Sequence, residues 1–596
     1  MNIIYKKIKV LHIVLLCFSL MIFSACSNIL EEEPRSLLTP NLFETDQGLE
    51  GGIVAAYAYL RFYYGPEGTH NMTVYGTDEF TNGNQVSNPP LNNYQNLDAN
   101  NGDILTPWNR AYPAINTCNG VIELGTTDNM TPERRTLIAE AKYLRAHWYF
   151  ILVRTFGGVS LDLGSGPLAF NRSPVNNFSR ASVSEVYNVI INDLEDAIID
   201  LSDTPSEPGR AWKATAYHTL AKVYLARAYS EAAQSSDYQN ALDAAQHLIN
   251  NAGSYGVALL SDFADVHREG NDDNAEILFS VQRNGDPNFT DITANGAPNE
   301  VALQMNRANY YFRCFYERAS DALVRDVQNG RPWIRFKPTD WLLNEAFNNK
   351  TIDSRFDKSF QTVWYANNTD ASTYPLWTAG DVAAGYVSPD MEGQPKFSLG
   401  DTCVWMPQDH INLTAEDIGR RGFIVFTPAF ISSQKEQYPS LSKFNAIERP
   451  QPGTEDDANV SSYRPYPVYR FAETYLVAAE AALQLGNTQL AADYINVIRR
   501  RAAWNNANPA LMEITAGNVD IDFILAERTR ELAGEYMRWF DLVRTGKLLE
   551  RVQLYNPDGG PNIQPHHVLR PIPQGYIDLA IDPTTADSKY PQNPGY

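Results

Sequence analysis

At 596 residues and a formal charge of −22, the chain is long enough for a large core, and its acidic balance argues against nucleic acid or an anionic membrane surface as partner. Hydrophobic residues at 44% beside 20% charged residues exclude disorder as the general state. Tyrosine leads an aromatic-rich composition, which serves a core and equally a wet recognition surface, because its ring offers a flat apolar face and a hydroxyl.

The N-terminus reads as an address. Lys6, Lys7 and Lys9 precede an apolar run over residues 10–23, and the small residues Ser24 and Ala25 precede Cys26. That order predicts a signal peptide over residues 1–25, its apolar run too short for a spanning helix. Phe23-Ser24-Ala25-Cys26 is similar to a bacterial lipobox, with Phe23 where leucine is commoner, and implies a lipid on Cys26. Residues 26–47 are then a lipidated tether and lead-in, with Glu31, Glu32 and Glu33 close behind the anchor. Cys118, Cys314 and Cys403 remain, far apart and odd in number, without a CxxC, so neither a disulfide framework nor a zinc site is expected.

Helical patterning begins at residue 48, with a first helix over 48–64. Thr131-Pro132 offers cap and first-turn chemistry for a helix running to a stop at Gly157-Gly158. Ser182-Val183-Ser184-Glu185 is a capping box before a helix reaching about residue 201. Helices over 212–229 and 238–250 follow, and a later pair over 468–485 and 488–503 breaks at Gly486-Asn487. Alanines at close-packing positions between large residues, with short turns, predict a mostly α fold of tetratricopeptide-like hairpins, degenerate in period. Residues 48–270 form an N-terminal helical region and 271–596 a C-terminal one, opened by a strand at Glu276–Ser280. Long segments rich in Gly, Asn, Pro and Asp cover 65–107, 284–300, 366–408 and 449–462, the kind of loop that carries function.

Residues 523–547 predict one long amphipathic helix. Leu525, Leu532, Tyr536, Trp539, Phe540 and Val543 share one side, and Glu527, Arg530, Glu531, Glu535, Arg538 and Asp541 share another. Glu527–Arg530, Glu535–Arg538 and Arg538–Asp541 are spaced as i,i+3 ion pairs, and Gly546 stands as a C-cap. Charges among aromatics imply a helix buried on more than one side with its ions paired, a structural network rather than an acid/base site. There is no HExxH, GxSxG or Walker-type loop. His566-His567 suits packing better than metal binding, and Asn271-Asp272-Asp273-Asn274 lacks calcium-loop spacing and reads as a turn.

Glu527-Arg528-Thr529-Arg530-Glu531-Leu532 with Glu535 and Arg538-Trp539-Phe540-Asp541-Leu542-Val543-Arg544 closely resembles the C-terminal signature of the SusD/RagB family. Further similarities lie in the Tyr149–Val159 stretch, in Glu276-Ile277-Leu278-Phe279-Ser280, in Gly330-Arg331-Pro332-Trp333 with Lys337-Pro338-Thr339, and in Pro571-Ile572-Pro573-Gln574. The resemblance implies a non-catalytic lipoprotein of the outer membrane that captures an oligo- or polysaccharide and passes it to a SusC-like TonB-dependent transporter. It also implies a ligand site built from the loop after the first helix and from a segment in mid-chain.

A sugar needs an aromatic platform for its CH face and amides, carboxylates or guanidiniums for its hydroxyl rim. Asp78, Tyr94 and Asn96 from the first loop and Tyr310, Tyr311 and Trp333 from the second segment are the expected ligand-binding residues. The aromatics would stack, and Asp78 and Asn96 would meet hydroxyls. No cofactor or metal is expected. The alternatives are RagB-like peptide capture, which relies on backbone hydrogen bonds, and a surface glycoside hydrolase.

Overall fold

The computed structural model of the protein describes residues 43–128, 130–284, 306–448 and 457–596. The signal peptide, Cys26 and most of the 26–47 tether lie outside these residues, as do 285–300 and 449–456 of two expected loops.

Helix α1 (Asp46–Tyr59) opens on Thr45, whose side chain accepts from the Gly48 N–H. It ends in a 3₁₀ turn over Leu60–Phe62 rather than continuing to residue 64. Then come α2 (Glu67–Thr73), α3 (Pro89–Asn93) and α4 (Gly102–Gly125). Residues 65–107 are therefore not one loop. Pro107 reads as a boundary in sequence, yet Asn101 caps a helix that runs through it, with Ile104, Trp108, Ala111 and Ile115 buried along one side. Helix α5 (Pro132–Phe156) starts at the expected cap and stops at Gly157, whose φ of +78° suits glycine. The Ser182–Glu185 capping box is closed in both directions at the start of α6 (Val183–Asp200). Helices α7 (Lys213–Ala228) and α8 (Asp237–Tyr255) follow. Downstream lie α9 (Ala308–Tyr311), α10 (Phe471–Gln484), α11 (Thr488–Ala502), α12 (Ile521–Leu532), α13 (Arg538–Arg544) and α14 (Leu548–Tyr555).

The architecture is a tetratricopeptide-like helical scaffold. α1 packs on α4 and α5, and α4 through α7 each pack on the next. α8 then packs on α10, itself paired with α11, so a distant segment continues the array. Buried Ala478, Ala479, Ala481 and Ala482 on α10 allow this close approach. The later pair starts three residues after its expected beginning, because Tyr466–Arg470 is a strand, paired antiparallel with Ile277–Val281.

The other strands are short. Phe80–Asn82 pairs antiparallel with Phe336–Pro338, and Phe360–Gln361 with Ser440–Leu441. Thr402–Trp405 lies between antiparallel Val363–Tyr365 and parallel Ile424–Val425. One hydrophobic cluster reaches from Phe43 to Tyr590 and draws on both halves of the chain. It absorbs much of the aromatic content, Trp148, Tyr149, Tyr310 and Tyr466 included. Among the described residues no helix is long and apolar enough to cross a membrane.

Candidate functional site

The segment 523–547 is two helices, not one. α12 stops at Ala533, and the turn before α13 holds Gly534 at φ +82° and Tyr536 at φ +58°. A Cβ on Gly534 would stand 2.5 Å from Leu441 Cδ2, so glycine is required twice over. This turn redirects the charges. Glu527 and Arg530 do pair, at 2.7 Å. Glu535, expected to meet Arg538, instead takes Arg470 and Lys443, each at 2.8 Å. Asp541 pairs with Arg528 at 2.6 Å and Arg544 at 2.9 Å. Arg538 grips Asp78 through two bonds of 2.6 Å.

These contacts fasten the first loop to the C-terminal region. Arg551 adds a second guanidinium to Asp78, and the Thr529 hydroxyl donates to Glu79 at 2.8 Å. The Gly65 N–H donates to the Tyr536 hydroxyl at 2.7 Å. The Tyr536 ring lies against Tyr466 at 4.6 Å and edge-on to His70 at 4.2 Å. Burial alone would raise the Asp78 carboxyl, but Arg538 and Arg551 hold it below its ordinary range. Burial pushes its neighbour Glu79 up to about 7, with Arg538 opposing and the Asp78 charge assisting. Two adjacent carboxyls held so far apart in pKa could serve acid/base chemistry, but both are sealed from solvent.

A second group is built around Trp333. Its neighbour Ile334 is held at φ +53°, a conformation that costs a β-branched residue on the order of 1–3 kcal/mol. Backbone bonds impose it: Trp333 N–H to Tyr310 O, Ile334 N–H to Arg313 O and Arg335 N–H to Tyr311 O, at 3.3, 3.1 and 3.0 Å. The indole is half-buried, backed by the rings of Tyr310 and Tyr311 at 5.3 and 5.6 Å. Around it stand the guanidiniums of Arg307, Arg331 and Arg335, at 5.4, 5.4 and 5.2 Å. The first loop reaches this group at Gly83 and Gln85, whose N–H groups donate to Arg335 O and Ile334 O. The side chains of Asn84 and Gln85 are exposed, and the Asn84 amide donates to Glu436 at 2.8 Å.

The expected ligand residues therefore separate. Trp333 alone is a half-open ring within this group. Tyr310 and Tyr311 pack against it from beneath, at 0% and 1% exposure, and support its ring instead of offering a face of their own. Asp78 is closed off by two arginines, so a sugar hydroxyl cannot reach it without breaking that pairing. Tyr94 is buried against Leu525, Trp539 and Ile563, its hydroxyl donating to Gly76 O at 2.7 Å. Asn96 is exposed at φ +55°, on a loop leaning on the C-terminal segment through the bond from Gln95 to Asn562. Arg307, Arg331, Arg335, Asn84 and Gln85 are not among the ligand-binding residues expected from the sequence. The two-residue spacing of Arg331, Trp333 and Arg335 was the available signal.

A further aromatic surface lies beside the three-stranded sheet, where Phe426, just past the third strand, stacks at 4.7 Å on Phe430 of the short helix Pro428–Ser433, and Arg421 covers Trp405 at 4.9 Å. Cys118, Cys314 and Cys403 are buried free thiols. Among the described residues no cluster of His, Cys, Asp or Glu is arranged to hold a metal ion.

The profile of the SusD family matches residues 299–596, half of the chain, which includes both the ion network and Trp333. The chain belongs to the SusD family. A second profile, described as starch-binding associating with outer membrane, matches residues 30–225 and so takes in the first loop. SusD-like protein P2 of Formosa agariphila is 25% identical over 614 aligned positions, covering 99% of this chain and 100% of that protein. Among solved structures, a SusD homolog from Bacteroides thetaiotaomicron superposes with a TM-score of 0.67 at 20% identity, covering 92% of this chain and 97% of its own. A laminarin-binding SusD-like protein gives 0.63 at 22% identity, covering 93% and 100%. The SusD-like helical scaffold thus extends over nearly the whole chain.

Proposed function

We propose that this SusD-family protein binds an oligo- or polysaccharide at the outer cell surface without cleaving it, and delivers it to a SusC-like TonB-dependent transporter. A lipid on Cys26 would anchor it to the outer membrane. The observation that carries the reading is the Trp333 indole. It is half-open, braced from behind by two buried tyrosines and flanked by guanidiniums, that of Arg331 without a carboxylate partner among the described residues, which suits a sugar face and its hydroxyl rim. The name of one structural relative, a laminarin-binding protein, supports the ligand class. The description of the second matching family supports the location. Hydrolysis gains nothing from the nearest carboxyl pair, since Asp78 and Glu79 are sealed within the scaffold.

Titration of the chain from Ser27 onward against a panel of polysaccharides and a peptide digest tests the reading, with Trp333→Ala alongside. Binding to a glycan that survives intact and is lost in the variant supports it. Binding to peptides alone would replace glycan by peptide capture, and a shortened glycan would make the protein a hydrolase. Co-purification of a β-barrel transporter with the tagged native protein tests the delivery step.

A further inference from the structure

A cleft of about 790 Å³ opens where the ends of α5 and α7 meet the start of α6, helix α13 and the C-terminal segment. Its lining includes none of the Trp333 group. The walls are largely aliphatic and proline side chains, Val183, Val543, Leu569, Pro591 and Pro594 among them. Two of its arginines have guanidiniums bonded to no carboxylate among the described residues. Arg154 donates from Nε to Phe150 O at 3.0 Å, and its guanidinium lies over the rings of Phe150 and Phe540 at 3.8 and 4.1 Å. The Arg180 guanidinium donates only to neutral oxygens, those of Gly158, Phe156 and Pro591 and the Asn593 amide, at 2.7, 2.8, 3.2 and 2.5 Å, while its backbone N–H donates to Asp582 at 3.3 Å.

Behind Arg154 the balance also tips positive. Lys222, Arg528 and Arg544 share Glu473, Glu480 and Asp541, so with Arg154 four cations meet three carboxylates. Burial lowers the pKa of His218, which also bonds Glu473, so it adds no charge at neutral pH. The two carboxylates at the cleft itself do little to offset this. Glu185 is committed to the Ser182 capping box, and Glu231 is exposed at the rim, where water screens it. A chain of net charge −22 thus holds a cationic, aliphatic cleft of the size that accepts a small ligand or a few side chains.

We infer that this cleft docks a segment of a partner protein that presents an apolar side chain next to a carboxylate. Guanidiniums without a carboxylate partner in a partly desolvated site keep their charge uncompensated and favour a carboxylate over water. Aliphatic and proline walls suit a branched side chain. Tyr187 and Tyr229 line the cleft as well, so an acidic sugar is the competing ligand that the titration below includes. The inference is independent of the glycan reading, since it uses none of the same residues.

The test is a titration of the full chain, in detergent micelles, with N-acetyl-Leu-Glu, its neutral counterpart N-acetyl-Leu-Gln-amide, and glucuronic acid. The acidic peptide is expected to bind saturably, at least about tenfold more tightly than the neutral one, and less tightly as salt rises. Arg180→Gln should weaken that binding about tenfold. Ala181→Trp, which fills the cleft from its half-buried rim, should abolish it. Arg180 also ties down backbone, so melting temperatures accompany both variants, and Ala181→Trp carries the test if Arg180→Gln does not fold. Equal binding of the neutral peptide, preference for glucuronic acid, retention in Ala181→Trp, or no saturable binding up to the solubility limit would each overturn the proposal. Trp333→Ala should leave this binding unchanged.

Discussion

The network around α12 and α13 and the group around Trp333 both gather arginines, with opposite results. In the network, Arg355, Arg470, Arg528 and Arg538 are buried and each meets carboxylates at 2.6–3.2 Å. Around Trp333, Arg331 stays half-exposed, meets no carboxylate among the described residues and turns toward an aromatic face, whereas Arg335, over the same ring, is held by Glu67 at 2.8 Å. A charge sealed in protein must be fixed by a partner, because its desolvation costs several kcal/mol. A charge at the surface remains hydrated and can exchange water for a ligand. The first arrangement holds loops in place, and the second is free to recognise something.

Four measurements break or sharpen that contrast. The largest effect is expected from Arg538→Met, which removes the two-pronged partner of Asp78 and leaves Arg551 as its guanidinium contact. Stability to urea should fall by about 3–5 kcal/mol. A loss below about 1 kcal/mol would mean that the network does not fasten the first loop.

Next comes Glu79→Gln, read as a function of pH. The folded Glu79 titrates near 7 and the unfolded one near 4.5, so between these values the folded state holds the proton more tightly. Its contribution to stability is therefore full below 4.5 and declines as pH rises through 7. The variant should gain on the native protein by up to about 3 kcal/mol between pH 5 and pH 8. Glu473, Glu527 and Glu535 act in the opposite sense. Despite burial, their cationic partners hold them well below the carboxylate range, and their stabilisation is lost as pH falls through those lowered values. A flat difference between native protein and variant across pH 5–8 would show that Glu79 is not held neutral.

Trp333→Ala should weaken glycan binding by about tenfold or more while changing stability by no more than about 1–2 kcal/mol. Unfolding comparable to that of Arg538→Met would move Trp333 from the recognising class to the fastening class. The smallest effect is expected of Phe430→Ala, on the exposed aromatic surface beside the three-stranded sheet. Within about 0.5 kcal/mol, neither stability nor glycan affinity should move. A loss of affinity there would place a second platform beside that sheet.

What the sequence determined by itself was local. Thr131-Pro132, the Ser182–Glu185 box and the stops at Gly157 and Gly486 are legible because a helix end is decided by the few residues around it. The paired helices and the buried, charge-laden character of residues 523–547 were equally legible, since both follow from periodicity. Tertiary structure decided the rest. Gly534 and Tyr536 break a pattern that looks continuous, because Leu441 and Gly65, distant in sequence, fit only the broken form. Pro107 is carried inside a helix because the apolar side chains around it are buried. Asp78 and Tyr94 have the chemistry of ligand contacts and are sealed, whereas Trp333 has the same chemistry and stays half-open. Residue type states what a side chain could bind. Whether it meets solvent or another part of the chain depends on partners hundreds of residues away, such as Arg538 for Asp78, and no local pattern records that pairing.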